Sequence, residues 1–497
     1  MSEPKKVDRR KFIYAGLGAV ALIAIGAAAY VAMNPPVVTV TTSTTVPTTS
    51  VITTTVPTTS VVTTTSVATT TVPTASVVTT TKTLIKEEIT CIGHSVFWPL
   101  FGQGELLENF AKETGITVNY ISCGHTDLRE KVITQWLAGG SEYDAIIWST
   151  TNLAKEYTQY MEPLDNYIER DKKEMEYDDI YPSLIKIGSK DGHVYEMPLR
   201  TGTNILFYRK DLFEQYGLAT PVKTWDEYLE VAKQLTLDLN KDGTPDIYGA
   251  GVYGDSVYAY DASMDFIYGF GGHVLEEFEP GKWRCVLNSP EAIEGIQYYV
   301  DLYQKYKVCP PGTPQTNNEK LITAMQQELV ATAIMYAPYA VNVNDPSKSK
   351  VPGKVGYQPR PVKKGMAFPG LNWASCWGIL INKQSKKKNA AWEFIKFLTS
   401  KSSDMYMALR GNGPIRASTF NSSEFREKFG LQWVETFSAQ LAKSVPPCDV
   451  AGTPTEIRDL MGREINAAIT GQKSVKEVMD GLTQKINDIL KARDYQV

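Results

Sequence analysis

Histidine and cysteine are scarce in this chain of 497 residues, and their scarcity narrows the chemistry that it can carry. There are four histidines and six cysteines, and no two cysteines have the Cys-x-x-Cys spacing, so the usual zinc and thiol-redox motifs are absent. The last histidine is His273, which leaves a Ser-His-Asp arrangement with little support; the Gly254-Asp255-Ser256 stretch resembles an esterase motif only superficially. The sequence also marks no carboxylate pair of a glycosidase, although such pairs are rarely marked. We expect a protein that is not an enzyme.

Neither sign of charge is in large excess in this chain. The net charge is −4, with 21% charged residues, and the basic residues are not clustered as a nucleic-acid-binding surface requires. We therefore expect no nucleic-acid partner. Aromatic residues, by contrast, make up 10% of the chain, with 27 Tyr and 9 Trp. That supply suits a protein that stacks ring faces on a ligand, although ordinary core packing accounts for most of it.

The N-terminus has the pattern of a membrane anchor. Basic residues at positions 5–11 precede an uncharged apolar run at 12–33, which is long enough, at roughly 30 Å as a helix, to cross a bilayer. The preceding positive charges would stay in the cytoplasm, so the rest of the chain would lie outside the cell. The DRRKFI stretch at 8–13 resembles a twin-arginine export signal, and AAA at 27–29 offers a cleavage site as the alternative. We predict that residues 1–34 are an uncleaved anchor.

A stalk is predicted for residues 35–84. This tract is rich in Thr, Val, Pro and Ser, and VPTTSV at 46–51 recurs at 56–61 and, as VPTASV, at 72–77. It has no glycine and no charge between residues 34 and 81, so it cannot form a core and favours a disordered, O-glycosylated, extended chain. Fully extended, it would reach about 150 Å. Such stalks resemble those of archaeal cell-surface proteins.

Residues 85–497 have the pattern of an α/β protein of two lobes, because about 410 residues are too many for one ordinary core. Apolar runs at 89–92, 116–122 and 143–148 alternate with helical patterns at 104–114 and 128–138. Strand-helix-strand order predicts a parallel sheet with right-handed crossovers. Ligands bind such sheets beyond the carboxyl ends of the strands, which here places 94–98 and 148–152 at one edge.

Seven markers in a fixed order connect this region to a known family. They are ETGITV at 113–118, YDAIIW at 143–148, GHVYEMP at 192–198, NILFYRKDLF at 204–213, TWDEY at 224–228, AAWEFIKFL at 390–398 and INAAITG at 465–471. Taken together, they resemble the extracytoplasmic solute-binding proteins of ABC importers, in the maltose-binding-like class. The resemblance covers nearly all of residues 88–495.

The resemblance implies a periplasmic-binding-protein type II fold, in which three strands cross between two lobes and a hinge closes them on a ligand. The crossings are expected near 199–203, 357–362 and 411–417. Lobe one is then about 88–199 plus 360–412, and lobe two is about 203–356 plus 416–495.

A sugar site needs aromatic planes for the ring faces and a few polar groups for the hydroxyls. We expect these groups at strand ends and in loops that border the cleft in the family. The candidates are His94, Trp98, Trp148, Ser149, Thr150, Thr201, Asn204, Asp261, Tyr336, Tyr339, Trp373 and Trp377.

A structural calcium site is predicted at residues 238–246. The oxygen-bearing residues are Asp238, Asn240, Asp242, Thr244 and Asp246, with Gly243 at the sixth position as in an EF-hand loop. The Glu expected at the twelfth position is replaced by Gly249, so an Asx-rich turn is the alternative. No other cofactor is expected.

Disulfides are permitted in an exported protein. Cys91 and Cys123 fall on strands that should be neighbours, and Cys285 and Cys309 flank one helix, so these two pairs are the candidates; the sequence leaves the pairing open. Residues 421–423 form an N-glycosylation sequon.

The sequence thus predicts a monomeric, membrane-tethered head on the cell surface that captures a carbohydrate and delivers it to an ABC permease. Two alternatives stay open. In the first, the same fold binds a ferric ion, a polyamine or a phosphodiester; Tyr298-Tyr299 resembles the paired tyrosines of iron binders. The second is a cell-surface hydrolase.

Overall fold

The computed structural model describes residues 37–43, 79–149, 155–450, 453 and 455–493. Of these, Val37–Ser43, Thr79–Glu88 and Glu108–Thr117 belong to one unit and the remainder to another. The predicted anchor at 1–34 and most of the predicted stalk lie outside the described residues. Among the described helices, none combines the length and the apolar composition needed to cross a bilayer.

The described part of the stalk differs from the prediction of an unpaired chain. Its two ends form antiparallel strands, with Val37 opposite Ile85 and Ser43 opposite Thr79. Threonine and valine are β-branched and favour extended backbone that can pair. The expectation of a disordered tract is therefore wrong for these two segments.

The strands of the chain are β1 Val37–Ser43, β2 Thr79–Ile85, β3 Glu87–His94, β4 Ile116–Cys123, β5 Ala145–Ser149, β6 Ser189–Lys190, β7 His193–Val194, β8 Met197–Gly202, β9 Asn204–Arg209, β10 Leu275–Glu279, β11 Lys282–Cys285, β12 Thr332–Tyr336, β13 Val355–Gln358, β14 Asn372–Trp373, β15 Ser375–Ile381 and β16 Ser444–Val445.

The helices are α1 Phe97–Leu100, α2 Glu105–Thr114, α3 His125–Leu137, α4 Lys155–Thr158, α5 Asp165–Asp171, α6 Pro182–Ile187, α7 Lys210–Gln215, α8 Trp225–Gln234, α9 Ala259–Gly269, α10 Pro290–Gln304, α11 Asn318–Gln326, α12 Ala340–Val343, α13 Lys388–Leu398, α14 Lys401–Ala408, α15 Ala417–Asn421, α16 Ser423–Phe429, α17 Leu431–Leu441, α18 Thr455–Ile469 and α19 Val475–Ala492.

Two separate sheets define the two lobes. The first has the order β4-β3-β5-β15-β8, and the second has the order β12-β9-β13. β3 and β5 run parallel, as the alternating strand and helix pattern predicts, whereas β15 is antiparallel to both of its neighbours. In the second sheet β9 is antiparallel to both neighbours. The predicted strands and helices between residues 89 and 148 are confirmed to within a few residues.

Local sequence signals set several helix ends. The TWDEY marker is a capping box: the Thr224 hydroxyl accepts a hydrogen bond from the Glu227 amide at 3.2 Å, and the Glu227 carboxylate accepts one from the Thr224 amide at 3.1 Å. This arrangement satisfies amides that have no partner within the helix. α8 therefore starts at a fixed place and buries Trp225 and Tyr228 in lobe two.

The first crossing between lobes is where it was predicted. β8 belongs to the first sheet and ends at Gly202, and β9 belongs to the second and begins at Asn204. Thr203 joins them and is buried, with its hydroxyl donating to the Trp373 carbonyl at 2.6 Å. A side chain at position 202 would place its Cβ 2.0 Å from the Tyr336 ring. Glycine is needed there because the backbone and that ring approach so closely.

The second crossing lies further along the chain than predicted. After β13, Val362 still pairs with Thr224 of lobe two, and the Arg360 guanidinium donates to the Leu371 carbonyl at 2.8 Å. The chain enters the first sheet only at Ser375. The prediction of 357–362 is wrong because the buried Arg360 keeps this segment in lobe two, so the second part of lobe one begins near 375 and not at 360.

The third crossing is also later than predicted. Asn412 donates to the Leu199 carbonyl at 2.9 Å, and the Gly413 carbonyl accepts from the Thr201 amide at 3.2 Å. Arg416 bonds to Asp179 of lobe one at 3.3 Å. α17 is the first later helix that packs on β13 and β9 of lobe two. The chain therefore leaves lobe one through α15 and not within 411–417.

Neither candidate disulfide forms. All six cysteines are buried free thiols. The Cys123 sulfur accepts a hydrogen bond from the Lys131 ammonium group at 3.7 Å, and burial raises the pKa of Cys285 to about 12. β3 and β4 are neighbours as predicted, but strand adjacency alone does not bring two sulfurs into bonding geometry.

Candidate functional site

A cavity of about 360 Å3 is lined by residues of both lobes. Lobe one contributes the ends of β3, β5, β8 and β15. Lobe two contributes the start of β9, the turn after β12 and the first turn of α9. The lining residues are His94, Val96, Ser149, Arg200, Asn204, Tyr253, Tyr258, Tyr260, Asp261, Asn318, Tyr336, Tyr339, Trp373, Ser375, Trp377, Pro447 and Arg458.

Two tyrosines of lobe two form an aromatic corner. Tyr336 ends β12 and Tyr339 ends the short 3-10 turn Ala337–Tyr339, and their rings lie 5.4 Å apart at 55°. The Tyr336 hydroxyl accepts from Ser375 at 3.0 Å, and the Tyr339 hydroxyl accepts from Asn318 at 2.7 Å. Burial raises the pKa of both phenols, and the nearby Arg200 charge partly opposes that rise. Both phenols are therefore neutral at physiological pH.

Lobe one supplies aromatic and polar groups on alternate residues of β15. Ser375 and Trp377 lie two residues apart and both line the cavity, as expected for one face of a strand. The His94 ring lies 5.1 Å from the Trp377 ring. The His94 Nδ1 accepts a hydrogen bond from the Val96 amide at 3.1 Å. This contact requires an unprotonated Nδ1 and so describes a neutral imidazole.

One acid and one base of the lining face each other. Asp261 in the first turn of α9 lies 4.0 Å from the Arg458 guanidinium of α18. Burial raises the pKa of Asp261 to about 6, although Arg458 opposes the rise. The guanidinium also lies 5.6 Å from the centre of the Tyr260 ring, a cation–π contact. Asp261 is thus mostly ionised above pH 6 and can accept bonds from ligand hydroxyls.

Asn204 and Trp373 form part of the cavity wall, and a side-chain nitrogen of each binds Asp265. The Asn204 amide donates to Asp265 at 2.7 Å, and the Trp373 indole donates to the other carboxylate oxygen at 2.9 Å. Both side chains are almost completely buried. The Asn204 Nδ2 and Trp373 Nε1 atoms are therefore engaged with Asp265, and both side chains offer surface to a ligand.

The structure places eight of the twelve predicted residues on this cavity. They are His94, Ser149, Asn204, Asp261, Tyr336, Tyr339, Trp373 and Trp377.

Three predicted residues lie elsewhere. Trp148 is fully buried in the core of lobe one, with its ring 5.6 Å from the Trp136 ring, so the expectation that it faces the cleft is wrong. Thr201 is also fully buried and donates to the Ser375 carbonyl at 3.2 Å. Trp98 is 39% exposed and stacks on Tyr120 outside the cavity. Thr150 is outside the described residues.

Sequence reasoning missed several lining residues. The tyrosines at 253, 258 and 260 form a tyrosine-rich run that offered a signal. The sequence carried no signal that Arg200 and Arg458 line the cavity, because nothing in a sequence shows which arginines will lie near a carboxylate.

The loop at 238–246 does not line the cavity, and its oxygens are occupied by backbone amides. Asp238 accepts from the Asp242 and Gly243 amides at 3.1 and 2.8 Å, and Asp246 accepts from the Leu239 amide at 2.8 Å. Within the described ranges, no three His, Cys, Asp or Glu side chains are placed to hold a metal ion. This geometry is that of an Asx-rich turn, and calcium binding there stays a prediction.

Two α/β lobes that together line a cavity with tyrosine, tryptophan and a few charged groups define a solute-binding protein. The chain belongs to the family described as bacterial extracellular solute-binding protein, whose model matches residues 98–405. The family resemblance seen in the sequence is therefore confirmed.

Several known proteins are similar to this chain. A mannitol-binding protein of Pseudomonas aeruginosa is 23% identical over 415 residues, which cover 76% of this chain and 88% of the relative. The ribitol complex of an ABC transporter solute-binding protein from Agrobacterium radiobacter K84 matches with a TM-score of 0.69 and 25% identity, covering 81% and 98% of the two chains. Maltose-bound MalE3 of T. maritima matches with a TM-score of 0.69 and 28% identity, covering 81% and 100%.

Proposed function

We propose that this protein binds a carbohydrate or polyol in the inter-lobe cavity and delivers it unchanged to the permease of an ABC importer. The observation that carries the proposal is the composition of the cavity: aromatic rings from both lobes together with Ser149, Ser375 and Asp261. Ring faces stack on the C–H faces of a sugar, and the polar groups bond to its hydroxyls. The similar proteins named above include binders of mannitol, ribitol and maltose.

A ligand that contacts both lobes favours the closed arrangement of the two lobes. Tyr339 and Asp261 belong to lobe two, and Ser149 and Trp377 belong to lobe one. A ligand that contacts both sets binds the closed form more tightly and shifts the hinge equilibrium towards it. The closed head is the form that we propose docks on the permease.

Tyr339→Ala is expected to weaken binding of a carbohydrate ligand by about 10- to 100-fold, because the variant loses a ring face and the hydroxyl group on it. The measurement is calorimetric titration of the full-length protein with the sugar or polyol that gives the largest thermal shift in a screen of mono- and oligosaccharides. Trp98→Ala is the matched control, since Trp98 is aromatic and lies outside the cavity. The affinity of this variant for the sugar should equal that of the wild type. Equal losses in both variants would contradict this site.

We further propose that the protein performs no chemistry on its ligand. Asp261 is the one carboxylate among the described lining residues, whereas glycosidases use a pair. Asp255 of the esterase-like stretch accepts from the Val257 and Tyr258 amides at 3.0 and 2.7 Å and so stabilises the turn that precedes α9. Recovery of the bound sugar unaltered after prolonged incubation tests this; a cleaved product would favour a hydrolase.

The ferric-ion alternative finds no support in the structure. Tyr298 and Tyr299 are on α10, and their hydroxyls donate to the carbonyls of Trp225 and Tyr253. Neither tyrosine lines the cavity. Core packing accounts for the pair.

We also propose that residues 1–34 anchor the head, as a monomer, to the outer side of the cytoplasmic membrane. The support is the apolar run at 12–33 after a basic segment, together with the extracellular character of the family. Deleting residues 1–34 should move the protein from the membrane fraction to the soluble fraction without changing its sugar affinity. Continued membrane association of the shortened chain would contradict the proposal.

A further inference from the structure

Arg200 is a half-buried arginine of the cavity wall. Its Nε atom is buried and has no hydrogen-bond partner, and within the described part of the chain it makes no ion pair. Other arginines shielded from solvent do pair: Arg209 with Asp211 at 2.6 Å, Arg360 with Asp265 at 3.5 Å, Arg416 with Asp179 at 3.3 Å and Arg458 with Asp261 at 4.0 Å. A guanidinium set partly out of water without an acidic neighbour is costly.

Arg200 also lies where a ligand would meet it. It stands on β8 opposite Trp377 of β15, and both side chains line the cavity. Its charge acts on the phenols of Tyr336 and Tyr339 across the same space, since it opposes the burial that raises the pKa of both. The cation is therefore near the aromatic corner, on the wall of the same cavity.

The charges of the described lining residues do not balance. Asp261 and Arg458 compensate each other, and His94 is neutral because its Nδ1 accepts a hydrogen bond. The lining tyrosines are held neutral by burial, which raises the pKa of Tyr336 and Tyr339. Arg200 thus leaves the cavity with a net charge of one positive unit.

We infer that the preferred ligand is an acidic carbohydrate, a uronic acid or an oligosaccharide that ends in one, whose carboxylate is bound by Arg200. This inference rests on the proposed function and specifies the class of sugar. The planar guanidinium fork matches a carboxylate with two parallel hydrogen bonds, and a site shielded from water strengthens them. The aromatic corner then holds the face of the same ring.

The size of the uncompensated charge favours a carboxylate over a phosphate. A uronate carries one negative charge, which balances Arg200. A sugar phosphate carries about −1.5 to −2 near pH 7 and would leave the cavity negative beside Asp261.

The test is calorimetric titration of the full-length protein with D-galacturonate and D-glucuronate, with D-galactose and D-glucose as their neutral counterparts, and with glucose 6-phosphate. We expect a uronate to bind about 10- to 100-fold more tightly than its neutral counterpart. Arg200→Gln should abolish that difference, and Arg200→Lys should keep part of it because it retains the charge. Thermal unfolding of both variants checks that they fold, and the lysine variant carries the test if the glutamine variant does not.

The outcomes separate this inference from the function on which it rests. A neutral sugar bound as tightly as its uronate would overturn the inference and leave carbohydrate binding in place. Tightest binding of glucose 6-phosphate would overturn it in favour of a phosphorylated ligand. A uronate preference that survives in Arg200→Gln would remove Arg200 from the explanation. Binding of none of these sugars, nor of any in the saccharide screen, would refute the proposed function itself.

Discussion

Replacing Arg360 with methionine is expected to lower the free energy of unfolding by about 3–5 kcal/mol, because it leaves a buried charge without its partner. Arg360 and Asp265 are 2% and 1% exposed, with Nε 3.5 Å from the carboxylate. The same guanidinium donates to Asn372 at 2.7 Å. Truncation therefore removes contacts that join α9 to the segment before the second crossing.

Urea-induced unfolding of the wild type and the variant measures this loss. Arg284→Met is the matched control: Arg284 pairs with Glu276 at 2.7 Å, but the two side chains are 52% and 49% exposed, and exposed pairs contribute about 0–1 kcal/mol. Similar losses in the two variants would show that burial of the Arg360 pair has no special cost.

Glu196→Gln is expected to flatten the dependence of stability on pH above about pH 5. Glu196 is fully buried, and neither carboxyl oxygen has a hydrogen-bond partner in the described structure. Burial raises its pKa well above the ordinary value. The folded state therefore binds a proton that the unfolded state has released once the pH passes the ordinary glutamate pKa of about 4.3.

The sign of the effect follows from proton linkage. Between the unfolded and folded pKa values the folded state binds more protons, so the wild type loses stability as pH rises, by up to about 1.4 kcal/mol per pH unit. The glutamine variant has no such proton to lose. Its free energy of unfolding should therefore rise relative to that of the wild type from pH 5 to pH 8. Urea titrations at several pH values measure this, with the exposed Glu435→Gln as control. Parallel curves for the wild type and Glu196→Gln would mean that the carboxyl ionises at an ordinary pKa.

Much of the fold was predictable because the signals are local or periodic. The alternating apolar runs and helical patterns gave β3, β4, β5 and the helices between them, and the first crossing fell at Thr203 as the family resemblance implied. The two later crossings were misplaced because long-range bonds set them. Arg360 and Arg416 lie inside the two predicted ranges but are still bonded to the lobe that the chain is leaving.

The errors at the site have one main cause, which is the alternation of side chains along a strand. Trp148 was expected to line the cavity but is buried, and its neighbour Ser149 lines the cavity. Thr201 was also expected to line the cavity but is buried, and its neighbour Arg200 lines the cavity. Successive strand residues point to opposite faces. The apolar pattern of a sequence predicts where a strand ends. Which face of the strand lines the cleft depends on how the sheet packs against the rest of the protein.

The sequence by itself determined the family, the α/β class, the order of the main elements and the aromatic supply of the cavity, since these follow from composition, periodicity and short motifs. Only the tertiary structure decided which face of each strand meets the ligand, that the cysteines stay free, and that Asp261 meets Arg458 while Arg200 meets no acid among the residues that the structure describes. The physical reason is that Coulomb interactions and burial depend on distances in space, and Asp261 and Arg458 are nearly two hundred residues apart in the chain.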